Sequence, residues 1–110
     1  MTDWEDKSAE AVEDLESLRA EIDGIDDEIG RLVARRQTVV NRVAEIKRKH
    51  HLPVYHPARE EDLISSRRAR GAEAGLNPDF IEELYRVILR QSRFEQSRRE
   101  ILVFFRDGEP

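Results

Sequence analysis

The sequence predicts an all-α protein of three helices, the first very long, assembled as an intertwined helical homodimer. Three observations predict it. From Leu15 the apolar residues fall at positions 15, 18, 22, 25, 29, 32, 39, 43 and 46, in steps of three and four with one gap. Pro53, Pro57 and the stretch "GLNPDF" then divide the remainder into two shorter segments. Hydrophobic residues make up 38% and aromatic residues 6% of 110 residues, a thin core for a chain that does not add buried area by association.

Residues 1–12 are acidic and aperiodic, a lead-in expected to fray. The main domain is expected over residues 13–100. Its first helix runs from about 13 to 50, with Gly24 and Gly30 inside an otherwise unbroken pattern. A helix of that length reaches about 55–60 Å, which two shorter helices of one chain cannot cover, so a second copy should lie along it. Pro53 in "HHLPVYHPAREED" stops the first helix and Pro57 opens the second, which runs from about 58 to 71 on Leu63 and Ile64. "GAEAGLNPDF" is a turn, with Asn77 as N-cap and Pro78 at the first helical position of the third helix. That helix runs to about 100, with Phe80, Ile81, Leu84, Tyr85 and Ile88 inward, and its inner face turns polar at Ser92, Glu95 and Gln96. Residues 101–110 form a tail, "ILVFFRDGEP", that the pattern does not place.

Composition narrows the function. The net charge is -5, a poor match to nucleic acid. No apolar run is long enough to span a membrane, and the acidic start is unlike a signal peptide. With no cysteine, disulfides and thiolate chemistry are excluded, which suits the cytoplasm. His50, His51 and His56 lack metal-ligand spacing, and no glycine-rich phosphate loop is present, so neither metal nor cofactor is expected.

The informative residues are polar ones on apolar faces. Arg36 fills the gap in the heptad seam. Lys47 continues a flanking stripe through Val33 and Val40, and stands eleven residues on from Arg36, about 20° out of line on the helical wheel. Ser92 and Gln96 share a face of the third helix. Arg59 and Glu60 open the second helix, and Arg19 lies at the edge of the stripe, better placed to reach a partner chain than its own core. Unpaired buried cations are costly, so a small polyanion is expected to arrive and pair them, gripped by arginine forks. Plainer explanations stand beside this one. Arg36 could pair with Glu45, Glu60 or Glu95. Lys47 could serve a helix C-terminus. Ser92 could be a packing residue and Gln96 a surface residue. Arg31, Arg35, Arg42, Arg48 and "SRRAR" fit solvated charge.

The stretches "LRAEIDGIDDEIGRLVARRQTVVNRVAEIK", "LPVYHPAREEDLISSRRA" and "QSRFEQ" together resemble the all-helical, AroQ-type chorismate mutases over residues 15–96. The likeness is strongest to the mutase domain that some bacteria fuse to prephenate dehydrogenase. It implies that residues 13–100 are a chorismate mutase domain. The reaction would be rearrangement of chorismate to prephenate in the shikimate route to the aromatic amino acids, by a homodimer with shared active sites. It further implies that Arg19 reaches into the partner's pocket and, with Arg36, binds substrate carboxylate. Arg59 would add to carboxylate binding and to the electrostatics beside the ring, and Glu60 would accept from the ring hydroxyl. Ser92 would lie beside a carboxylate, Val43 would form apolar wall, and Lys47 and Gln96 would donate to the breaking ether oxygen. His56 stands where relatives often carry aspartate, at a contact made largely by backbone N–H. An isochorismate pyruvate-lyase shares this fold and much of the pocket, and a non-catalytic helical dimerisation module is a third possibility.

Overall fold

Three helices form the protein: α1 over Asp3–Lys49, α2 over Pro57–Glu73 and α3 over Pro78–Arg106. The computed structural model describes the backbone of residues 3–106 and the side chains of residues 7–99. The chain divides into two compact units, Met1–Thr38 and Val39–Pro110.

In the first unit the described residues are helix throughout. α1 starts at Asp3, ten residues before the periodicity predicts a start, so residues 3–12 of the acidic lead-in are part of the helix. Every side chain from Lys7 to Arg35 is exposed. That includes the heptad seam, where Leu15, Ile22, Ile25 and Leu32 retain 49%, 54%, 55% and 60% of their accessible surface. A single helix can bury nothing against itself. An isolated helix also draws little stability from propensity alone, and most of the stability of a protein helix comes from packing its apolar face.

The second unit begins with Val39–Lys49 of α1. Here the two apolar stripes separate. Val39, Val43 and Ile46 of the seam remain exposed, at 49%, 46% and 59%. The flanking stripe turns inward: Val40 and Lys47 are half-buried, and Ala44 between them is 1% exposed. The ion pair from Arg99 of α3 to Glu45, at 3.3 Å, ties this segment to α3.

Backbone geometry rather than proline alone ends α1. The N–H of Leu52 donates to the carbonyl of Lys47 at 2.7 Å and that of His51 to Arg48 at 3.2 Å, with His51 in the left-handed region at φ 56°. These two bonds make a Schellman close, which satisfies carbonyls that a helix end would otherwise leave open. α2 ends the same way. Leu76 donates to Gly71 at 2.9 Å and Gly75 to Ala72 at 3.0 Å, with Gly75 at φ 83°, where glycine carries no steric penalty. The chain then enters α3 through the predicted cap, with Asn77 Oδ1 accepting from the N–H of Asp79 at 2.8 Å.

α2 and α3 pack as a hairpin. Its buried residues are Ile64 and Gly71 on α2 and Ile81, Leu89 and Ser92 on α3. The inner face of α3 is narrower than predicted. Tyr85 and Ile88 are half-buried, but Phe80 and Leu84 are exposed, because a helix facing one neighbour buries only a narrow stripe. Charge lines the open side of the hairpin. Arg68 donates to Asp79 at 2.9 Å and to Glu82 at 3.1 Å, while Arg86 donates to Glu82 at 2.8 Å and to Glu61 at 3.3 Å. Arg68 of "SRRAR" is therefore a clamp between helices and not simply solvated charge. Its hydrogen bond to Asp79 pushes the guanidinium above its ordinary range.

At Gly71 the two helices approach closely. A Cβ there would lie 2.6 Å from Cγ1 and 3.4 Å from Cβ of the buried Ile81. Those atoms sit at the root of a β-branched side chain and cannot swing aside. Gly71→Ala is expected to lower stability by about 1–3 kcal/mol through overpacking. Gly24, with open space around it, is the control: Gly24→Ala is expected to be neutral or to stabilise by up to about 1 kcal/mol through helix propensity. Thermal unfolding of both variants against the parent checks the pair.

Candidate active site

His56, Arg59 and Glu60 are organised by the start of α2. His56 is the N-cap, and its Nδ1 accepts from the N–H of Arg59 at 3.0 Å. Histidine thus supplies here the acceptor that aspartate, serine or asparagine usually supplies. Pro57 occupies the first turn, where its missing N–H costs nothing. The next two residues after Ala58 then project from a fixed origin. Glu60 lies in the first turn, where the helix dipole favours a carboxylate.

Glu60 takes part in a three-element contact centred on Arg93. Its Oε1 accepts from Nη1 of Arg93 on α3 in a close ion pair, with the Glu60 side chain 22% exposed. The same guanidinium lies over the ring of Tyr55, 5.1 Å from its centroid. The loop before α2, the first turn of α2 and the middle of α3 meet at this point.

Other predicted residues are withdrawn from solvent on their own helices. Lys47 is half-buried beside Ala44, Ser92 is buried at 6% exposure, and Gln96 is half-buried one turn further along α3. Val43, Arg59 and Arg19 are exposed. Arg36 is half-buried and belongs, with Arg19, to the first unit, whereas the other seven predicted residues belong to the second. In the second unit the structure brings His56 onto the backbone of Arg59. The three glutamates offered as structural partners for Arg36 are engaged elsewhere: Glu45 by Arg99, Glu60 by Arg93 and Glu95 by Arg98. The hydrogen bond from Arg98 holds the Glu95 carboxyl below its ordinary range. Among the described residues no group of three or more histidines and carboxylates could hold a metal ion.

Two residues of this contact escaped the sequence reading, Arg93 and Tyr55. A signal for Arg93 was present, because it precedes Gln96 by three positions and so shares its side of the helix. Tyr55 lies in a loop, where periodicity says nothing.

Comparison with known proteins points one way. A family model, chorismate mutase type II, matches residues 18–97. The T-protein of Haemophilus influenzae is 40% identical over 81 residues, 74% of this chain and 22% of that protein. The bifunctional chorismate mutase/prephenate dehydratase of Aquifex aeolicus is 37% identical over 81 residues, 71% of this chain and 22% of that protein. A 4-amino-4-deoxychorismate mutase of Streptomyces venezuelae is 37% identical over 96 residues, 86% of this chain and 88% of that protein. The chain thus spans about a fifth of the length of the first two relatives. No solved structure matches it.

The cap at His56 yields a direct test of what positions Arg59 and Glu60. His56→Ala is expected to cost about 0.5–2 kcal/mol of stability, the usual loss on removing an N-cap acceptor. His56→Asp should restore it, because the shorter carboxylate can accept from the same N–H. Denaturant unfolding of the two variants beside the parent checks both expectations.

Proposed function

The chain belongs to the type II chorismate mutase family, and from that we propose that it is a cytoplasmic isomerase converting chorismate to prephenate, in the route to phenylalanine and tyrosine. The supporting observation is the extent of the match: residues 18–97 contain all nine residues for which the sequence supports a role.

Chorismate carries two carboxylates. Its rearrangement breaks one ether C–O bond and forms one C–C bond within a single molecule, so the protein must supply orientation and charge stabilisation only. Arginine forks at Arg36, Arg59 and the partner's Arg19 hold the carboxylates, with Ser92 beside one of them. Fixing the side chain over the ring removes most of the orientational barrier. Lys47 and Gln96 donate to the ether oxygen, where negative charge develops as the C–O bond breaks. A preorganised donor of this kind is worth about 3–4 kcal/mol in a dry site. The half-burial of Lys47 and Gln96 and the burial of Ser92 support these roles, since polar groups withdrawn from bulk water act more strongly on charge. Glu60 accepts from the ring hydroxyl, Val43 forms apolar wall, and His56 fixes the turn that carries Arg59 and Glu60. The exposed seam of α1 is the surface for a second copy, whose first helix covers it and whose Arg19 completes the pocket.

The coverage of the Streptomyces venezuelae protein favours a second reading, the same rearrangement on 4-amino-4-deoxychorismate. Incubation of the purified chain with each compound, with the products identified, separates the readings. Prephenate from chorismate is the expected result. Release of pyruvate from isochorismate would mark a lyase, and a folded dimer that converts nothing would mark a dimerisation module.

Residue 96 gives a pH test of the site. An amide donates to the ether oxygen at every ordinary pH, so turnover of the parent is expected to be nearly flat from mildly acid to neutral pH. A glutamate donates only while protonated, with a reference pKa of ~4.3. Gln96→Glu is therefore expected to be active in acid and to lose turnover as pH rises through the new carboxyl's pKa. The neighbouring Glu95 does not confuse the result, because Arg98 keeps it ionised to lower pH than usual. Profiles of turnover at saturating chorismate for both proteins check this, and coincident profiles would remove residue 96 from the reacting oxygen.

A further inference from the structure

We propose that Arg93 is the specificity-determining residue of this site, which it biases through Glu60 toward a ring hydroxyl and against a ring amine. The inference rests on the proposed function, in which Glu60 meets the substituent at ring position 4.

A carboxylate has two oxygens and only acceptor capacity. Arg93 occupies Oε1 of Glu60, which leaves Oε2 for the substrate. A hydroxyl needs no more than that, since it donates one hydrogen bond and carries no charge. An amine at the same position differs in kind. An alkyl amine is protonated near neutral pH, as lysine is with a reference value of ~10.4. It is served best by an uncompensated carboxylate. Here the carboxylate is already matched by a guanidinium, so the pair presents no net charge, and an ammonium would stand close to a like charge. Discrimination then arises from a built-in repulsive element as well as from an attractive one.

Two contacts hold Arg93 beside Glu60. Its guanidinium is held on one side by Glu60 and lies over the ring of Tyr55 at 5.1 Å. Its backbone sits between the buried Ser92 and the half-buried Glu95 and Gln96 on the packed face of α3. Arg68 and Arg86 also pair with carboxylates of the α2–α3 hairpin, but among the described residues the cation placed over an aromatic ring is Arg93. Arg93 acts on the substrate through Glu60, as a positioning residue.

The test compares kcat/KM for chorismate and for 4-amino-4-deoxychorismate in the parent, Arg93→Met and Arg93→Lys, each first shown to be folded by circular dichroism. The parent is expected to prefer chorismate. Arg93→Met, which keeps the bulk and removes the charge, is expected to shift the ratio toward the amine by about tenfold or more, since a like charge is removed beside it. Arg93→Lys, which keeps the charge, is expected to retain the parent's preference. Equal losses on both substrates in Arg93→Met would reduce Arg93 to a structural residue and overturn the assignment, as would a parent that prefers the amine. A parent that converts neither compound would overturn the proposed function and this assignment with it.

Discussion

The apolar seam of α1 is a surface that its own unit has no means to cover. From Leu15 to Leu32 the seam residues keep about half of their surface in contact with solvent, on a unit that is helix alone. Each such side chain forgoes roughly 1 kcal/mol of burial for the half of its surface left exposed, and single helices hold together poorly without packing. The proposed second copy would give this face the packing that so long a helix lacks on its own. The division of labour along α1 fits that arrangement. In the second unit the flanking stripe of Val40, Ala44 and Lys47 faces inward while the seam of Val39, Val43 and Ile46 stays out. One helix therefore carries two apolar faces here, one turned inward and one left exposed. Lys47 lies on the first, and Arg36 fills the gap in the second.

The α2–α3 hairpin plays a different part. It is small, and among the described residues its buried apolar side chains are Ile64, Ile81 and Leu89. What it does well is fix positions. Gly71 lets α3 approach α2, two Schellman closes pair terminal carbonyls of α1 and α2, and His56 and Asn77 cap the starts of α2 and α3. A thin core held by caps, glycine contact and charged clamps suits a site whose proposed work is orientation and electrostatics. Such work depends on where donors sit and not on how much apolar surface lies beneath them.

Much of this was legible in the sequence because it depends on local periodicity and local turn chemistry. The seam, the three helices, the Asn77 cap and the turn at Gly75 all lie within short windows. Legibility failed where distance or exception entered. Histidine is neither the usual cap nor the usual left-handed residue, so His56 and His51 gave no signal of their roles. Phe80 and Leu84 match an inward pattern, but only the partner helix decides which stripe of α3 is covered. The ion pair of Glu60 with Arg93 joins residues 33 positions apart, and no period in the sequence encodes it. For the candidate site, the residue types and their faces could be read, whereas the Arg93 partner and the Tyr55 platform required the fold.

We propose that the uncovered face of α1 and the cations at its edge are completed by a second copy, so that each pocket draws on two chains. Mixing Arg19→Ala chains with Lys47→Ala chains, each inactive alone, under conditions that allow exchange tests it most directly. Each mixed dimer would hold one pocket with both defects and one with neither, so random exchange should restore about a quarter of the parent's activity. Verified mixed dimers that remain inactive would contradict the claim and return the whole site to a single chain.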